Sequence, residues 1–304
     1  HDLPPDRRLN FISIEKHPVS KQDLAQMLST FEFSSGERLL AQYPPHYRGQ
    51  HVIWLSSNVR LLLIFDDIDD ALGNLDAEVD LWFLDGFAPS KNEAMWQPAI
   101  YRKMFSRSRH GAEVATYSAA GAVKRGLEYA GFTTRKIDGF GRKNEMLSAK
   151  RPGNWQPTQS PRDAVTILGA GLAGIFCAEA LTRRGIDFQI LDGGNPGPST
   201  IPQLAVMPQL ALASEPRYRF SFAACHYMQS APGYYKTGVH RWGQDDEEIL
   251  RLQQIAAQFP DEIIEFMDNR MVMHEAGWLA FEETRQSIAD QPTRAQIGSI
   301  RHGG

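Results

Sequence analysis

Apolar positions recur along the chain in short runs separated by amphipathic stretches. Leu9 to Ile14 alternates as a brief buried strand and then turns polar. Ser20 to Leu28 reads as a helix, with Ser20 placed to cap its first N–H groups. Leu61 to Phe65 is a second strand, followed by an acidic turn and a short helix. Leu81 to Leu84 is a third, ending in a polar loop, and Ala112 to Ser118 holds a fourth. Ala119 to Ala130 is a helix stopped by Gly131. Strands that alternate with helices predict an α/β fold built on a doubly wound parallel sheet.

The pattern lapses between Lys150 and Asp163, where Pro152, Pro157 and Pro161 fall in text without apolar periodicity. This reads as a linker. It divides the chain into residues 1–150, a linker 151–163 and residues 164–304. A second βαβ unit follows at once: strand Ala164 to Leu168, helix Leu172 to Arg183, strand Phe188 to Leu191. Each side begins its own βαβ unit, so severing the linker is expected to leave two soluble domains. Farther on, Asp246 to Phe259 and Asp261 to Phe266 read as helices interrupted at Pro260.

Composition narrows the class. With 304 residues, 42% apolar and 22% charged, the chain is an ordinary globular protein of one large or two smaller domains. No apolar run reaches the ~18 residues of a membrane span, and no secretory signal opens the chain. Cys177 and Cys225 form no CxxC pair, and His17 and His226 have no partner at metal-ligand spacing, so no metal is expected. A reduced, cytoplasmic monomer is the expectation. The net charge of −4 does not advertise a nucleic-acid binder. Locally, however, Arg135, Lys136, Arg142, Lys143, Lys150 and Arg151 outnumber Asp138 and Glu145, an excess that suits phosphates or simply a solvated face. His1 and the closing Arg301–Gly304 suggest a piece of a longer protein.

The strongest chemical signal is Gly169-Ala170-Gly171-Leu172-Ala173-Gly174. It follows a strand, opens a helix, and is followed by Asp192 at the end of the next strand, the context a dinucleotide fingerprint requires. Gly169 permits the tight turn, Gly171 lets a pyrophosphate approach the backbone, and Gly174 lets helix and strand pack closely. The helix N-terminus offers unpaired N–H groups to the phosphates, and Asp192 can accept from a ribose diol. The fingerprint does not by itself separate NAD from FAD. Its mid-chain position, with long non-Rossmann text behind it, resembles FAD-dependent oxidases of the glycine and D-amino-acid oxidase type.

Residues 80–96, DLWFLDGFAPSKNEAMW, are the most distinctive text in the chain. Together with Phe11–Pro18, with Ala119–Phe132 and with Gly139–Leu147, they resemble the methyltransferase domain of the MnmC family, bifunctional enzymes of tRNA 5-methylaminomethyl-2-thiouridine biosynthesis. The resemblance covers nearly all of residues 9–149, and an FAD-type βαβ unit is what the family carries next. It implies the later part of a methyltransferase domain of Rossmann type, then the start of an FAD-binding domain. It also implies a glycine-rich S-adenosylmethionine loop before residue 1 and more of the FAD domain after residue 304.

The resemblance further implies roles. Glu15, ending a strand, would hold the ribose of S-adenosylmethionine, and Asp67 would lie near its adenine. Asp85 would be the base that takes a proton from the aminomethyl nitrogen. Phe87 would pack on the target base, with Lys91, Arg142 and Lys143 also toward the tRNA. Gly169, Gly171, Gly174 and Asp192 would hold FAD. One departure stands out: the family carries a Ser-Gly-Asn loop where this chain has Ser199-Thr200-Ile201-Pro202. Two other readings fit the residues, a flavin amine oxidase acting on a free amino acid and a non-catalytic tRNA-binding remnant.

Overall fold

The computed structural model describes residues 4, 7–31, 33–86, 91–139, 145–155, 165–194, 197–210, 216–289 and 296–299. From the N-terminus, β1 (Leu9–Glu15) leads to α1 (Lys21–Ser29), α2 (Gly36–Gln42), β2 (Gly49–Trp54), β3 (Val59–Phe65) and α3 (Ile68–Asn74). Then come β4 (Val79–Leu84), α4 (Pro98–Arg107), β5 (Ser108–Thr116), α5 (Gly121–Ala130), β6 (Thr133–Asp138) and β7 (Glu145–Lys150). The later chain supplies β8 (Val165–Leu168), α6 (Leu172–Arg183), β9 (Phe188–Asp192), β10 (Leu204–Val206), α7 (Pro216–Met228), β11 (Tyr234–Tyr235) and β12 (Val239–Trp242). It closes with α8 (Asp246–Ala256), β13 (Ile264–Met267), β14 (Arg270–Met273), β15 (Gly277–Leu279), α9 (Phe281–Ala289) and β16 (Gln296–Ser299).

These elements form two compact units. One comprises residues 14–16 and 66–160, the other residues 1–13, 17–65 and 161–304. In the first, the sheet order is β4-β5-β7-β6. β4 and β5 run parallel, with Leu84 beside Thr116, while β7 runs antiparallel to both β5 and β6. Helices α4 and α5 pack together because Gly126 has no side chain: a Cβ there would fall inside the ring of Tyr101. Ile100, Tyr101 and Met104 of α4 are buried, as are Val123 and Leu127 of α5. Past β7 the chain continues alongside β5. Arg151 N donates to Ala112 O at 2.8 Å, its guanidinium lies over the Phe105 ring at 4.6 Å, and Arg109 lies over Trp155 at 4.6 Å.

Helix α5 ends as its sequence predicts. Gly131 adopts φ +111° and donates its N–H back to Glu128 O. A Cβ at this position would be strained by the left-handed backbone and would sit 2.9 Å from the Phe105 ring. Gly131→Ala is therefore expected to cost about 2 kcal/mol in urea unfolding. A loss under a few tenths would mean that the cap does not hold this helix.

Among the described residues the second unit holds four small sheets, ordered β1-β3-β2, β16-β9-β8, β10-β15-β11 and β12-β14-β13. β8, β9 and β16 are parallel, and α6 packs on β8 and β9 as a βαβ crossover. Ser20 caps α1 by accepting from Asp23 N at 3.0 Å. One expectation fails here. Residues 261–266 are not helical; Ile264–Met267 is a strand paired antiparallel with β14. The reason is the two-residue turn Asp268-Asn269, with φ of +49° and +59°, which folds the chain into a hairpin. The paired strands bury Ile264, Met271 and Met273 against Leu252 and Ile255 of α8. The same core takes in Tyr47, whose ring meets Phe222 of α7 at 5.0 Å.

Candidate cofactor and catalytic sites

The glycine turn is built by backbone requirements that can be read one residue at a time. Gly169 sits at φ +97°, and a Cβ there would meet nothing within 4 Å, so the requirement is conformational and the space beside it is open. At Gly174 the requirement is contact: a Cβ would fall inside Gly169 O, backbone against backbone. Gly171 is the N-cap of α6 with φ −73°, and a Cβ would stop 3.4 Å from Ser199 Oγ. Ser199 itself accepts from Leu172 N at 3.1 Å, so its hydroxyl stands at the helix N-terminus. Sequence reading did not single out Ser199; its only signal is its place in the loop that departs from the family pattern. The open side of the turn and the N–H groups starting α6 fit a pyrophosphate.

Asp192 ends β9, and both of its carboxylate oxygens are engaged. Oδ2 accepts from Ala170 N at 2.6 Å and Oδ1 from Gly194 N at 2.7 Å. These backbone donors, Ala170 first, hold the carboxyl below the usual carboxylate range. A carboxyl depressed in the folded state adds stability above its unfolded value, about 3.9, and loses it as pH falls through the folded value. Asp192→Asn is thus expected to be less stable than the parent at pH 7, with the difference closing below about pH 4. Urea titrations at pH 7 and pH 3 decide it: an unchanged gap at pH 3 would mean that the charge is not what holds the turn.

In the other unit, strand ends gather the acidic residues. Glu15 closes β1, and its carbonyl accepts from Asp66 N at 3.1 Å. Asp67 caps α3, accepting from Asp69 N at 3.0 Å, and pairs with Lys16 Nζ at 3.0 Å. That carboxylate is held in a fixed orientation by a helix start and a cation. Asp85 follows the last residue of β4 and is exposed. Its neighbours are tied on both sides to the end of β5. Thr116 Oγ1 donates to Leu84 O at 3.0 Å, and Tyr117 Oη donates to Gly86 O. Gly86 is further fixed by Met95, whose sulfur occupies the place of a Cβ. Asp85 therefore projects from the carboxyl end of a parallel strand pair, on a backbone clamped at residues 84 and 86.

Residues 32–152 match the family model of S-adenosyl-L-methionine-dependent methyltransferases. Over 98% of its length the chain is 37% identical to the tRNA 5-methylaminomethyl-2-thiouridine biosynthesis bifunctional protein MnmC of Chromohalobacter salexigens. It is 35% identical over 98% to the protein of the same name from Maricaulis maris. The chain belongs to the MnmC family. It spans about half the length of these relatives, 48% and 53%. Among solved structures it matches MNMC2 from Aquifex aeolicus at a TM-score of 0.38 and 21% identity, over 51% of this chain and 48% of that one. The fold is α/β, with the methyltransferase match over residues 32–152 followed by a second βαβ unit.

For the remaining residues that the MnmC motifs single out, the picture is mixed. Phe87, Arg142 and Lys143 lie outside the described residues. Lys91 is exposed in a turn. Among the described residues of the basic stretch near β6 and β7, Lys136 pairs with Glu145 at 2.6 Å and Lys150 with Glu113 at 3.9 Å. Arg151 gives its guanidinium to the carbonyls of Phe105 and Ser108. Sequence reading also passed over Thr116, Tyr117 and Met95, which position the loop carrying Asp85. Among the described residues no group of three His, Cys, Asp or Glu side chains is arranged to hold a metal, and no helix is long and apolar enough to cross a membrane.

Proposed function

We propose that this chain carries parts of two activities that modify the wobble uridine of tRNA. Residues 1–150 form the methyltransferase segment, 151–163 the connection and 164–304 the flavin segment. The observation that carries the reading is their coexistence: a methyltransferase match over 32–152 precedes a complete glycine turn closed by Asp192. FAD, bound at Gly169, Gly171, Gly174 and Asp192, would accept the electrons of a carbon–nitrogen oxidation, and S-adenosylmethionine, near Glu15 and Asp67, would supply a methyl group. The oxidation acts on 5-carboxymethylaminomethyl-2-thiouridine, with hydrolytic release of the carboxymethyl group as glyoxylate. Methylation then falls on the exposed aminomethyl nitrogen. Asp85 takes the proton that this nitrogen must lose, at a carboxylate oxygen aimed by the clamped loop. Phe87, Lys91, Arg142 and Lys143 face the tRNA.

The test is nucleoside analysis of tRNA bearing the carboxymethylaminomethyl group after incubation with the intact gene product, FAD and S-adenosylmethionine. Conversion to the methylaminomethyl nucleoside is expected. Flavin bleaching by free glycine, with tRNA left unchanged, would instead identify an oxidase of free amino acids.

A further inference from the structure

Within the larger unit, the hairpin β2–β3 and the segment that leads into it bury a polar face on helix α7. His51, on β2, is 2% exposed. Its ring meets Tyr47 at 4.8 Å, Phe65 at 5.0 Å and His226 of α7 at 6.2 Å. His51 Nε2 lies 3.3 Å from Tyr47 O, and His226 Nε2 lies 3.1 Å from Gln42 O. A carbonyl only accepts, so each Nε2 carries the proton and each Nδ1 keeps its lone pair. Both Nδ1 atoms are buried without a hydrogen-bond partner. A second contact backs the hairpin: Arg183 of α6 lies over the Trp54 ring at 5.6 Å and is anchored by Glu179, which also accepts from Tyr227 Oη at 3.4 Å.

We propose that this face is a clasp, in which the hairpin grips α7 noncovalently while His51 and His226 are neutral and lets go when they gain protons. The geometry gives a new proton on His51 nothing to compensate it. Its neighbours are two aromatic rings and a second imidazole. From α7 the titratable groups near the clasp are His226, Cys225, Tyr218 and Tyr227, from α6 they are Arg183 and Glu179, and from the segment before β2 they are Tyr47 and the exposed His46. The carboxylate in reach of the pair is Glu275, 4.0 Å from His226 Nδ1, and it is already held by Lys236 at 2.6 Å and Gln229 at 2.8 Å. Lys236 and Lys21 add positive charge on the His226 side. Burial, with His226 second, pushes His51 down to about 3, and burial lowers His226 as well.

The sign follows from linkage. A histidine depressed in the docked state costs nothing above its ordinary value of about 6.5 and penalises docking as pH falls below it. At pH 5, His51 alone weakens the grip by roughly 30-fold relative to pH 8. The release does not require either cofactor. It concerns residues 17–65, which the family model assigns mainly to the methyltransferase, and α7, which lies beyond that match.

The experiment places a protease site between residues 156 and 164 of the intact protein and cuts it after folding. At pH 8 the two fragments are expected to sediment together; at pH 5 their association should weaken by roughly 30-fold or more. His51→Gln keeps an amide N–H for Tyr47 O but does not titrate. Its fragments should stay together at pH 8 and lose most of the acid response. Phe222→Asp should part them at pH 8. Parent fragments that separate at pH 8, that hold equally at both pH values, or that respond to acid unchanged in His51→Gln would each overturn the clasp.

Discussion

Gly174→Ala is expected to cost the protein about 3 kcal/mol of stability and, on the proposed function, its flavin as well, whereas Gly171→Val is expected to cost the proposed flavin alone. The two glycines share a motif but answer to different constraints. At Gly174 a single methyl would lie inside Gly169 O, and neither backbone can move without opening the contact of α6 with β8 and β9. Ile175 and Ala178, which follow on the same helix, are buried against that sheet beside Phe188 and Ile190. A shift of the helix therefore disturbs the core of the βαβ unit as well as the turn. At Gly171 the backbone has φ −73°, which any residue adopts, and a Cβ reaches only Ser199 Oγ at 3.4 Å. A valine there fits the folded chain but pushes its methyls toward the space where phosphates would approach. Urea unfolding and flavin content of the two purified variants separate the cases. A Gly174→Ala protein of parent stability would show that the helix can back away. A yellow Gly171→Val protein of full flavin stoichiometry would place the cofactor elsewhere.

Much of this was legible in the sequence where local chemistry decides the structure. The Ser20 cap, the Gly131 stop and the strand–turn–helix around Gly169 each depend on a few adjacent residues, and each was read correctly. The chain after Gly193 was harder because its elements are short and set by partners distant in sequence. Asp261–Phe266 has enough apolar residues for a helix turn, and only its pairing with β14 makes it a strand. The Asp268-Asn269 pair was an available hairpin signal. Candidate-site residues divide the same way. Asp85 and Asp192 end strands that sequence reading placed well. Ser199, Thr116, Tyr117 and Met95 act through hydrogen bonds or contacts made across 9 to 32 positions of chain, which no local pattern announces. The gathering of Tyr47 and His51 onto α7 is likewise a long-range event, spanning the proline-rich segment that looked like a clean boundary.

On the proposed function, Asp85→Asn is expected to nearly abolish methyl transfer and to leave the oxidative step intact. An alkylamine resembles lysine, with a pKa of about 10, so at neutral pH the substrate nitrogen is almost wholly protonated and has no lone pair to offer. Its proton needs an acceptor within hydrogen-bond reach, and general-base catalysis of this kind contributes about 100- to 10,000-fold. Asp85 meets the positional demand: it is exposed at the carboxyl end of β4, on a loop that Thr116, Tyr117 and Met95 hold on both sides. An amide of the same shape can still hydrogen-bond the nitrogen but cannot take its proton. In the intact enzyme, supplied with both cofactors and tRNA, the variant should therefore accumulate the aminomethyl nucleoside and yield little of the methylated one. Tyr117→Phe, which removes the donor to Gly86 O without touching the carboxylate, should lower the rate less and leave its pH profile unchanged. A normal yield from Asp85→Asn would exclude this carboxylate as the base. Loss of the oxidative step in the same variant would show instead that the substitution disturbs more than the loop that carries it.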